Sequence, residues 1–150
     1  MIRLGWAFFS LLVFLTLPGI APADAASDRD ILKQFGMLGK LAIDCTAPYS
    51  RSNPHVIYSV SPQGNVTRIL KMDREDLDGT FPMRNLRLLA PDRLQFEETG
   101  RQSELTITIA RIAGNFRSWH SIRADGTVLI KDGKFLSSGS PTLAFEACRN

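Results

Sequence analysis

From Leu41 onward the apolar residues recur at every second position in short runs, and clusters of Pro, Gly, Asn, Asp and Ser separate the runs. This is the pattern of half-buried strands joined by turns. Before Leu41 the spacing is helical. Ile31, Leu32, Phe35 and Leu38 share one face, Ser27 offers an N-cap, and Asp28 and Asp30 suit the positive end of a helix dipole. Gly36 and Gly39 stop the run, so one short helix is predicted over 28–36, plugging or flanking the sheet.

The first predicted strand is Leu41–Cys45, with Leu41 and Ile43 facing the core and Ala42 and Asp44 facing out or lining a rim. Residues 46–54 form a loop rich in Pro and Ser. Val56–Val60 and Val66–Met72 flank a turn at Ser61–Asn65, and an acidic connection spans Asp73–Gly79. Strands follow at 81–89, around Leu94 and Phe96, and at Leu105–Ile109, the clearest alternation in the chain. A turn at Gly114-Asn115 leads into 116–123, Asp125-Gly126 leads into 127–130, and 142–148 is the last strand. Short strands with no helical interludes argue against parallel βαβ units. The predicted fold is all-β: a single small antiparallel barrel of eight or nine strands with one short N-terminal helix, a sandwich being the alternative.

The N-terminus changes the setting. Arg3 precedes an apolar run from Leu4 to Leu17, then Pro18-Gly19 and Ala23-Asp24-Ala25, the order of a secretory signal peptide. The run is shorter than the roughly 20 residues a membrane span needs. Residues 1–25 are therefore read as a signal peptide and 26–150 as one β-barrel domain, periplasmic or secreted, with no membrane anchor after cleavage. In an oxidising compartment two cysteines pair, and a Cys45–Cys148 disulfide would tie the first strand to the last. Side-by-side terminal strands favour the closed barrel over the sandwich.

Arg outnumbers Lys 13 to 5 and net charge is +3, but the arginines are scattered from Arg29 to Arg149. Scatter of this kind reads as solvated strand faces, so no nucleic-acid partner is expected.

Gly39-Lys40-Leu41, following a short helical turn, is similar to the Gly-x-Trp that opens the barrel of calycins (lipocalins, avidins and small bacterial protease inhibitors). Leu41 stands where those proteins have Trp. The longer string Phe35–Cys45, with Pro48, Ser50 and Asn53-Pro54-His55, resembles a group of exported small-barrel proteins of alphaproteobacteria. That resemblance implies a periplasmic address and brings no activity with it.

No constellation carries chemistry by itself. Ser118 shares a strand face with His120, but no orienting partner and no Gly-x-Ser-x-Gly elbow accompany them. Two histidines and a disulfide do not make a zinc site, and aligning Gly79 with a calcium loop's glycine puts Arg74 at the first ligand position. Glu97 and Glu98, being adjacent, point to opposite faces of a strand. No catalytic residue, metal or cofactor is expected. Arg117, Trp119, Ser121 and Arg123 alternate along one strand, with Ala110 opposite Trp119 if Gly114-Asn115 makes the turn. Arg117, Trp119 and Arg123 are thus the candidate ligand-binding residues, for an anion or a partner surface; cation–π packing is the structural alternative.

The expected function is that of an exported, non-enzymatic binding or interaction module. One class is a carrier of a small apolar or anionic molecule; the other is an inhibitor of an exported hydrolase or protease. Bulky Leu, Ile, Phe and Met at inward positions suit a filled interior and hence the second class.

Overall fold

The computed structural model describes residues 27–149; the predicted signal peptide lies outside the described residues. Helix α1 (Asp28–Phe35) is followed by β1 (Gly39–Ala42), β2 (His55–Val60), β3 (Val66–Lys71), β4 (Gly79–Ala90) and β5 (Arg93–Thr99). Then come β6 (Glu104–Ile112), β7 (Asn115–Arg123), β8 (Val128–Lys131), β9 (Lys134–Phe135) and β10 (Ala144–Ala147). Strands β1 to β7 form an antiparallel meander, and β10 pairs with both β7 and β1. Those eight strands close an antiparallel barrel.

Strands β8 and β9 stand outside the ring. β7 pairs with β10 through Phe116 and Arg117, and with β8 through Ser121 and Ile122. Between those stretches the Gly133 N–H donates to Trp119 O at 3.0 Å and Thr142 Oγ1 to Ser118 O at 2.8 Å, so the 133–142 segment lies along the wall.

Helix α1 plugs one end. The Asp30 N–H donates to Ser27 Oγ at 3.2 Å, and Gly36 caps the other end with its N–H on Leu32 O. Leu32 and Phe35 are buried, the Phe35 ring lies 5.7 Å from that of Phe116, and Arg111 Nη1 donates to Phe35 O at 3.2 Å. Leu86 and Leu94 belong to the same buried cluster as Leu32 and Phe35.

The outer wall is polar. Arg84 bonds Glu97 at 3.1 Å and Glu104 at 2.6 Å, and Arg87 bonds Gln95, while Leu94, Phe96, Ile107 and Ile109 point in. Apolar-in, polar-out is the reverse of a lipid-facing barrel. Among the described residues no helix is long and apolar enough to cross a membrane.

Two local expectations are corrected. The first strand ends at Ala42 rather than Cys45, leaving Ile43 39% exposed and Ala42 fully buried. The cause is Asn53, whose Oδ1 accepts from Asp44 N at 2.9 Å and whose Nδ2 donates to Asp44 O at 3.0 Å. These bonds draw the chain out of the ladder into a loop that folds over the outer face. There it covers His55, the cross-strand partner of Ala42.

The β6–β7 turn is Ala113-Gly114, not Gly114-Asn115. Both central residues have positive φ, 49° at Ala113 and 84° at Gly114, the signature of a I′ hairpin, which glycine adopts without strain and alanine does not. Ala110 therefore faces Arg117 rather than Trp119, and Arg111 faces Phe116. A bulge follows, with Ile109 opposite Ser118, Thr108 opposite His120, and Trp119 left out of the ladder. One extra residue reverses the facing of everything beyond it. Ile107 and Leu105 are thus flanked by Ser121 and Arg123.

Candidate functional site

Away from α1 the interior is not filled. A cavity of about 190 Å³ lies between β2, β3, β7, β10 and the 135–143 segment. Its wall is mainly apolar, from Val56, Leu70, Ile109, Phe116 and Phe145, with Tyr58, Arg68, Arg117, Ser118 and Thr142 as polar residues. Phe116 separates it from the plugged end, since its ring also packs on Phe35. Phe135 and Leu143 stand at its edge, 40% and 45% exposed. A second hollow of about 350 Å³ shares Arg68 and Leu70 with the first and adds Phe81, Glu98, Leu105 and Arg123.

Arg68 is inward because it is in phase with buried Val66 on β3; Glu98 is inward because it is in phase with Leu94 and Phe96 on β5. They meet over the intervening strand β4 in a two-toothed fork, Nε to Oε2 and Nη2 to Oε1, each 2.6 Å. The Glu98 side chain is 1% exposed and that of Arg68 20%. Cross-strand neighbours Tyr58 and Phe81 flank the arginine, whose guanidinium carbon lies 5.0 Å from the Phe81 ring centroid. Burial works against the Arg68 charge, but the hydrogen bond and charge of Glu98 outweigh it and raise its pKa. Burial pushes the Tyr58 phenol up to about 12; Arg68 opposes the rise and Glu98 adds to it.

This pair is what sequence reasoning missed. The signal was present: a charged residue in the inward phase on each of two strands. Glu98 stands beside Glu97 and Arg68 is one of many scattered arginines, so neither position by itself marks a pair.

The candidate ligand-binding residues do not share a face. Arg117 and Trp119 pack together over Gly133, where an added Cβ would meet the Trp119 ring at 3.3 Å and Arg117 Cδ at 3.4 Å. The Arg93 guanidinium carbon lies 4.9 Å from the Trp119 ring centroid. That is cation–π packing on the outer wall. Arg123, beyond the bulge, lines the second hollow instead. The bulge also parts Ser118, which faces the cavity with Ile109, from His120, which faces out with Thr108. His55 is buried beneath its loop, with Nε2 3.2 Å from Ala47 O.

Cys45 and Cys148 are paired across 103 residues with Cα atoms 5.4 Å apart, just past the β1–β10 ladder. Cys148 N also donates to Lys40 O at 2.9 Å. In the acidic connection, Asp78 Oδ1 accepts from Met72 N at 2.7 Å and Arg74 grips Asp76, so these carboxylates serve the loop itself. No group of three or more His, Cys, Asp or Glu among the described residues is gathered as metal ligands.

No family model matches the chain, and no curated protein or solved structure matches it either.

Proposed function

We propose that this is an exported, non-enzymatic binding barrel that takes a small amphipathic molecule into the cavity beside Arg68. The observation behind this reading is an apolar cavity that opens past exposed Phe135 and Leu143, with Arg68 and Tyr58 at its inner wall. Apolar walls supply the burial and a few convergent polar groups orient the ligand. The calycin-like opening at Gly39 agrees with an interior site in an eight-stranded barrel. The signal-like N-terminus and the cysteine pair, compatible with an oxidising location, support export to the periplasm or beyond.

Titration with 1-octanol, followed through methyl resonances, tests the reading. Saturable shifts confined to Val56, Leu70 and Leu143 are expected, and Leu70→Trp, which fills the space, should remove them while the fold persists. Absence of saturable shifts would end this reading. Leu136, 56% exposed beside that rim, favours as a second reading an inhibitor that docks the 133–143 segment on an exported hydrolase. Native mass spectrometry of protein purified from its own compartment separates the two: a retained small mass supports the first and a captured hydrolase the second.

A further inference from the structure

The cavity's polar end has a feature that bears on which ligand head it accepts, an inference that rests on the binding reading above. Glu98 occupies only one edge of the Arg68 guanidinium, bonding Nε–H and one Nη2–H. Both Nη1–H donors and the second Nη2–H are left over by the fork. Arg68 lines both hollows, and its cross-strand neighbour Tyr58 lines the inner one. The site therefore offers unused donors and a phenol, while the buried Arg68 charge is already matched by a buried Glu98 carboxylate.

We propose that the inner cavity selects an uncharged carbonyl head, an amide, ester or lactone, on a short alkyl body, and discriminates against the carboxylate of the same chain. A carbonyl oxygen accepts from the spare guanidinium donors and brings no charge. A carboxylate would share one guanidinium with Glu98 across a water-poor space, where like charges close together are costly and desolvation of the anion is not repaid. Arg101 and Arg123 line the outer hollow together with Asp76 and are not among the groups lining the inner cavity. Arg117 does border the inner cavity, but its side chain is packed with Trp119 over Gly133 on the outer wall. Size is bounded too. A cavity of about 150 Å³ admits benzene, so one of about 190 Å³ suits a body of roughly seven or eight carbons.

Octanamide and octanoate, nearly identical in shape and different in charge, form the test, read by calorimetric titration at neutral pH. The wild-type protein should bind octanamide at least tenfold tighter. Glu98→Gln removes the competing charge while keeping the shape and should reverse the order; Arg68→Met removes the donors to the carbonyl and should weaken octanamide binding at least tenfold without making octanoate the tighter ligand. Octanoate binding equally well or better in the wild type would overturn the head selection and leave the binding reading standing. Silence toward both, in protein that melts cooperatively, would overturn the two together. The wild-type comparison decides the matter even if a variant fails to fold.

Discussion

Tyr58 shows how one inward position couples packing to ionisation. Its phenol, buried beside the Arg68–Glu98 pair, is pushed up to about 12 from an ordinary value of 10.0. A folded state that holds the proton more tightly than the unfolded chain is fully favoured below the unfolded pKa and loses that advantage as pH rises through the folded one. Stability should thus be level up to about pH 10 and fall towards pH 12, by about 3 kcal/mol at ~1.4 kcal/mol for each unit. Urea unfolding of the wild type and Tyr58→Phe across that range checks it, and an equal fall in the variant would assign the effect to another group. At this scale Tyr58 was legible as an inward residue, from its phase with Val56 and Val60. Its neighbours were not, because they lie on other strands.

At the scale of elements, α1 and most strands were legible, since each carries its own period and its own caps or turn residues. Two strand ends were not. Leu41-Ala42-Ile43 alternates as if the strand continued, but the side chain of Asn53, nine residues after Asp44, holds the backbone elsewhere. Leu41→Asp should therefore unfold the domain by burying an unpaired charge. Ile43→Asp, at a half-exposed site, should cost no more than about 0.5 kcal/mol. Thermal melts by circular dichroism compare them, and equal losses would place Ile43 back in the core. The β7 bulge is the same kind of failure. Period-two reading has no term for an inserted residue, so every facing beyond Trp119 was inverted.

For the whole molecule, closure is made twice: by β10 joining β7 to β1, and by the cysteine pair just past that junction. The β10 ladder to β1 spans only Leu41↔Ala147 and Ala42↔Glu146. The covalent link should therefore matter. Replacing both cysteines by serine should cost up to about 4.7 kcal/mol, the chain-entropy value for a loop of about 100 residues. Denaturant unfolding measures this, and a loss below about 1 kcal/mol would mean the short ladder closes the barrel unaided.

The amino-acid sequence alone determined the class and the closure: period-two runs cut by turn residues, a helix with its own caps, and two cysteines at the ends of the strand series. These are properties of neighbours in the chain, and local conformational preference encodes them. Only the tertiary structure decided the site. Arg68 and Glu98 are 30 residues apart and meet because strand pairing carries both to one interior. The cavity beside them is a difference in filling between two ends of one barrel, set by α1, Phe116 and the 133–142 segment. Volume left unoccupied has no residue of its own, so no pattern along the chain marks it.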